Sequence, residues 1–244
     1  MEFSQEVRKA TDPIYKKISR VMPEIEWSVH APYIYKINQL KKKKNAVILA
    51  HNYQTPEIYH GIADFSADSL ALAVEAAKTS ADIIVMAGVH FMAETAKLMS
   101  PNKKVLLPDM KAGCSLSSSV TGKDVRLLKE KYPGVPVVSY VNTSADVKAE
   151  TDVCCTSANA VKIVKSLGVK KVIFLPDDYL AKYVASQTNV EIISTSVWEA
   201  TYFARKSSGK NITFFTPNDC TIFTALADVQ HTSVSAFTSA EVLT

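Results

Sequence analysis

Asn45-Ala46-Val47-Ile48-Leu49-Ala50-His51-Asn52-Tyr53-Gln54 sets an apolar run directly before a polar cluster. Its apolar run, bounded by polar residues, reads as a parallel strand buried on both faces. Ligands of open α/β sheets gather at the carboxyl ends of strands. Here that end carries a histidine and a tyrosine, a titratable ring and a phenol for a small polar substrate. Val137-Val138-Ser139-Tyr140-Val141-Asn142-Thr143 repeats the layout. Two strands that both end in hydrogen-bonding side chains predict one site fed by two related units.

Working outward, strand-like runs at 46–50, 82–87, 104–107, 136–140, 171–175, 190–193 and 211–215 alternate with other segments. Those at 68–79, 91–98, 123–131, 157–167 and 178–186 carry helical spacing and alanine-rich composition. Such alternation predicts βαβ units and parallel sheets. Residues 102–109 echo 169–177, and 212–219 form a weaker third copy. The economical reading is a set of tandem small α/β/α domains around a shared cleft.

At 244 residues the chain has room for one large domain or two to three small ones. Its 47% hydrophobic and 21% charged residues are ordinary for a soluble protein. No apolar stretch approaches membrane-spanning length, and the start lacks a signal-peptide pattern, so a cytoplasmic protein without membrane partners is expected. A net charge of +4 suits anionic metabolites and argues against a nucleic-acid partner. Lys41-Lys42-Lys43-Lys44 follows apolar residues at helical spacing and reads as a solvated helix end, favoured there by the helix dipole. The 7 glycines include no GxGxxG and no GxxxxGK[ST], which removes the usual dinucleotide and ATP loops. The 4 cysteines include no CxxC pair and suggest no disulfide framework.

Cys114 follows a strand-Pro-Asp turn beside Gly113. A thiol near the exposed N–H groups of a helix start suits iron ligation or nucleophilic attack, against the bland alternative of a buried small hydrophobe. Ser157 and Ser69 open helix-like runs, where a serine caps the helix or its N-terminus receives a carboxylate or phosphate. Together with Tyr140 and Asn142 they make a receptor for a dicarboxylate. Cys154 and Cys155 are adjacent and would face opposite sides of a strand. His30, His60 and His90 show no partner pattern and read as structural or surface residues.

Several segments together resemble the quinolinate synthase family. The resemblance is carried by Leu49-Ala50-His51-Asn52-Tyr53-Gln54-Thr55-Pro56-Glu57, by Asp68-Ser69-Leu70 and by Gly88-Val89-His90-Phe91-Met92-Ala93-Glu94-Thr95-Ala96-Lys97. It continues through Leu107-Pro108-Asp109-Met110-Lys111-Ala112-Gly113-Cys114-Ser115-Leu116, Tyr140-Val141-Asn142-Thr143-Ser144-Ala145 and Cys155-Thr156-Ser157-Ala158-Asn159-Ala160-Val161. It implies three α/β/α domains in pseudo-threefold arrangement around one cleft. It also implies a [4Fe-4S] cluster held by one cysteine from each domain. The implied reaction condenses iminoaspartate with dihydroxyacetone phosphate to quinolinate in NAD biosynthesis, with a functional link to L-aspartate oxidase.

Carried over residue by residue, the resemblance makes Cys114 the first-domain cluster ligand. His51 and Ser69 bind the iminoaspartate carboxylates, Tyr53 transfers protons, and Tyr140, Asn142 and Ser157 are second-domain substrate contacts. After Ile193 the family's ligand-cysteine and histidine segments are not matched, and Cys220 is the candidate second ligand. The expected organisation is an N-terminal region and first domain over 1–115, a second domain over 116–195 and the remnant of a third over 196–244. A truncated or divergent member that binds metabolite without catalysis is the rival reading.

Overall fold

In the computed structural model the structure describes residues 1–194 and 241–243. They divide between Gly113 and Cys114 into two compact units, with residues 241–243 in the first.

The first unit opens with a helical pair, α1 (Gln5–Ile18) and α2 (Glu24–Lys44). Ser4 caps α1 by accepting from Val7 N, and α2 stops at Asn45, whose φ of 49° is the left-handed turn that asparagine tolerates. The chain then runs through β1 (Ala46–His51), α3 (Pro56–Gly61), β2 (Phe65–Ala67), α4 (Ser69–Lys78), β3 (Ile83–Ala87), α5 (His90–Met99) and β4 (Lys104–Leu107). A last strand, β9 (Glu241–Leu243), lies antiparallel beside β4. The sheet order is β2-β1-β3-β4-β9, parallel except for that edge.

Alternate residues of β1 serve opposite layers, as the period of two demands. Ile48 and Ala50 join Val85 and Ala87 in a core with Trp27, Ile34 and Ile37 of α2 and Ile58 of α3. Each fully buried large side chain there contributes about 1.5–3 kcal/mol. α4 and α5 pack on each other and against β1 and β3. Lys42, Lys43 and Lys44 are solvated as expected. Lys41 is not: its side chain is only 13% exposed, paired with Asp64 at 2.8 Å.

The second unit holds a short 3₁₀ turn (Ser117–Ser119), α6 (Gly122–Lys131), β5 (Val137–Tyr140), α7 (Ala145–Ala149) and β6 (Val153–Cys155). It continues with α8 (Ala160–Ser166), β7 (Lys171–Leu175), α9 (Asp178–Gln187) and β8 (Glu191–Ser194). Its all-parallel sheet has the order β6-β5-β7-β8. Val138, Val172 and Phe174 pack under α8 and α9, while Val137, Ile173 and Leu175 pack under α6 and α7. Both units are thus parallel-sheet α/β layers with helices on both sides, the expected fold class.

The two sheets repeat one topology, strand for strand. β1 corresponds to β5, β2 to β6, β3 to β7 and β4 to β8. The echo between 102–109 and 169–177 therefore pairs strands that are not counterparts, because β7 occupies the place of β3. Both runs pack apolar residues between a basic start and a Pro-Asp end, a local pattern that does not encode sheet position. The echo of β1 with β5 does hold. The strand candidate 211–215, Cys220 and the expected third-domain remnant, apart from 241–243, lie outside the described residues.

Candidate active site

His51 is the last residue of β1, half-buried, and its ring lies 4.0 Å from the Tyr53 ring at a tilt of 33°. The Tyr53 amide donates to His51 Nδ1 over 3.4 Å, and the Gln54 amide to the His51 carbonyl over 3.0 Å. Burial pushes the imidazole below its ordinary value, opposed by the charge of Asp68. Burial thus favours the neutral ring, and with Nδ1 accepting from Tyr53 N the proton of that neutral form is assigned to Nε2. The Tyr53 hydroxyl donates to Met92 Sδ at 3.8 Å, and Met92 sits against Gly88, where an added Cβ would come within 2.8 Å of that sulfur. Gln54, part of the opening motif but given no role by the sequence, is 9% exposed, and its Nε2 has no hydrogen-bond partner among the described residues. An orphaned buried donor costs about 1–3 kcal/mol, so it marks a place where an acceptor is missing.

Ser69 is the first residue of α4. It does not cap that helix, because the Asp68 carboxylate does, accepting from Ala71 N at 2.8 Å. The serine hydroxyl is thereby released from the capping role the sequence suggested. Ser157 is likewise not a cap: it lies exposed in the turn between β6 and α8, and the residue before α8 is Asn159, whose side chain accepts from Thr156 N at 2.7 Å.

Tyr140 ends β5 half-buried, as His51 ends β1. The register makes the match position by position. His51 pairs with Ala67 and Tyr140 with Cys155, so Ser69 and Ser157, each two residues beyond, are counterparts. Tyr53 and Asn142, each two residues past the strand end, are counterparts too. Asn52 N donates to Ala67 O at 3.1 Å, and Val141 N to Cys155 O at 2.8 Å, extending both ladders identically. Asp64 Oδ2 accepts from Ile48 N at 2.8 Å where Asp152 Oδ2 accepts from Val137 N at 2.7 Å. The fold thus brings the predicted residues into two equivalent trios, His51/Tyr53/Ser69 and Tyr140/Asn142/Ser157, one on each unit.

Cys114 is half-buried in the segment after β4, where its carbonyl accepts from Ser118 N at 2.9 Å. The element next to it is the short 3₁₀ turn and not an α-helix, so the expected helix start is absent at this thiol. Cys154 is exposed and Cys155 buried, on opposite faces of β6 as expected. Burial, then the neighbouring Cys154, pushes the Cys155 thiol up to about 12, which leaves it protonated near neutral pH. His90, expected to lack a partner, lies 3.5 Å from Glu94 one helical turn on. Among the described residues no group of three His, Cys, Asp or Glu side chains is placed to hold a metal ion. No helix among them is long and apolar enough to cross a membrane.

Each unit is an open parallel α/β sheet that carries one of these trios at and just beyond a strand end, where such sheets receive ligands. The family described as Quinolinate synthetase A protein matches residues 35–239, and the chain belongs to it. It is 62% identical to the quinolinate synthase of Caulobacter vibrioides (strain NA1000 / CB15N) over 196 residues, which are 79% of this chain and 53% of that protein. It is 59% identical over 194 residues to the quinolinate synthase of Sinorhizobium fredii (strain NBRC 101917 / NGR234), 80% of this chain and 54% of the relative. Quinolinate synthase 2 of Mesorhizobium japonicum is 63% identical over 181 residues, 74% and 56% of the two chains. The chain spans about half the length of the curated relatives it matches.

Proposed function

We propose that this chain performs the quinolinate synthase reaction, condensing iminoaspartate with dihydroxyacetone phosphate, with loss of phosphate and two waters, to close the pyridine ring of quinolinate. The observation that carries this reading is the register equivalence of the two trios, which gives a dicarboxylate two matched sets of hydrogen-bonding side chains.

His51, neutral with its proton on Nε2, donates to a carboxylate oxygen of iminoaspartate without itself adding charge. The hydroxyl of Ser69, not consumed by capping, donates to a second carboxylate oxygen, and the Gln54 amide is a further donor from the same strand end. Tyr53, beside His51, moves protons to and from the condensing carbons. Tyr140, Asn142 and Ser157 are the second unit's substrate contacts. Iminoaspartate forms by oxidation of aspartate, which links the chain functionally to L-aspartate oxidase and places it in cytoplasmic NAD biosynthesis.

The family's [4Fe-4S] cluster takes Cys114 as a ligand in this reading. Such clusters are held by several thiolates, and among the described residues no three His, Cys, Asp or Glu side chains come together, so by themselves these residues do not fit a cluster. None of the roles given to the other side chains runs through it. Anaerobic assembly with iron and sulfide, followed by assay of quinolinate formation, tests the reading. Turnover by the chain, abolished in Cys114→Ser and in Tyr53→Phe, supports it. A metal-loaded chain that forms no quinolinate, or one indifferent to both substitutions, overturns it.

A further inference from the structure

We propose that Lys148 is a positioning residue that fixes Asn142 from behind. This rests on the reading of Asn142 as a substrate contact. Lys148 Nζ donates to Val141 O at 2.9 Å and to Thr143 O, the two main-chain carbonyls that bracket Asn142. An ammonium drawn partly out of water loses several kcal/mol of hydration, roughly, so it stays there only against strong acceptors. A lysine on α7 with no task would extend into solvent at no such cost.

The rest of the loop is pinned around the same residue. Val141 N donates to Cys155 O at 2.8 Å, Thr143 N to Val141 O at 2.9 Å, and the Thr143 hydroxyl to Tyr140 O at 3.0 Å. The first unit explains why a lysine is needed. After β1 the loop is held by the strand-end side chain itself, since His51 Nδ1 accepts from Tyr53 N. Tyr140 takes the place of His51 in the second unit and has no ring nitrogen to offer. Eight residues past the strand end, the first unit carries Tyr59 and the second carries Lys148. The ammonium supplies from below the constraint that the imidazole supplies from within.

The test combines amide hydrogen exchange with quinolinate titration on the full chain, using Lys148→Met, Lys148→Arg, Asn142→Ala and the Met/Ala double variant. Lys148→Met should speed exchange across 141–143 by about tenfold or more while Val137 and Ile173 keep their rates, and Lys148→Arg should largely restore protection. Quinolinate affinity should fall about tenfold in Lys148→Met, with no additional loss when Lys148→Met is added to Asn142→Ala. Exchange that rises evenly through the unit, or does not rise at 141–143, overturns the proposal, as do additive losses of affinity. A wild-type chain that does not bind quinolinate refutes the substrate reading instead, and the exchange comparison then decides Lys148 alone.

Discussion

His51 is the half-buried last residue of β1, and burial disfavours the charged form of its imidazole. Its folded value lies below the ordinary 6.5 because burial outweighs Asp68. The unfolded chain then takes up the proton first as pH falls, so this residue's contribution to stability is whole above 6.5 and drains away as pH drops through it. An NMR titration should place His51 below 6.5; a midpoint above it would mean that Asp68 dominates. Cys155, 2% exposed with its thiol pushed up to about 12, should resist iodoacetamide in the folded chain at mildly alkaline pH. Labelling of Cys155 as fast as in the denatured chain would contradict its burial. The positions of His51 and Tyr140 at strand ends, with Tyr53 and Asn142 two residues beyond, were legible in the sequence because apolar runs announce strand ends. Lys148 was not legible, because its partners are main-chain carbonyls and leave no residue pattern.

At the scale of elements, the long strands were readable and the short pieces were not. β4 and β7 occupy the expected residues, while β2 and β6 are three-residue edge strands too brief for any period. α3 and α7, of six and five residues, are likewise shorter than two helical turns. The two serines were misplaced as caps because Asp68 fills one position and Asn159 turns its side chain to Thr156 at the other. The shared aspartates make a comparison possible. Asp64 holds both Ile48 N and Lys41, whereas Asp152 holds Val137 N. Asp64→Ala should therefore destabilise more than Asp152→Ala, each by about 1–3 kcal/mol in chemical denaturation. Equal or reversed losses would show that the equivalence stops at geometry. Gly122 tests a joint between elements: an added Cβ would lie 2.6 Å from Asp146 Oδ1, whose carboxylate accepts from Gly122 N at 2.7 Å. Gly122→Ala should cost about 1–3 kcal/mol and lower the melting temperature; an unchanged midpoint would mean that Asp146 gives way freely.

For the molecule as a whole, the informative property is duplication. One four-strand parallel topology occurs twice, and the residues that sequence patterning marks as chemical fall on matched positions of both copies. β9 adds an antiparallel edge to the first copy alone, a strand too short and too remote in sequence to be foreseen. The trios diverge between the copies, imidazole to phenol and phenol to amide, which under the proposed function gives a substrate carboxylate different donors on each unit. Calorimetric titration of quinolinate into the wild-type chain, Ser69→Ala and Ser157→Ala tests this most directly. Saturable binding of one quinolinate per wild-type chain is expected, weakened about tenfold or more by either substitution, since each removes a hydrogen bond to a charged oxygen. No binding by the wild-type chain, or a loss confined to one of the two serines, would contradict it.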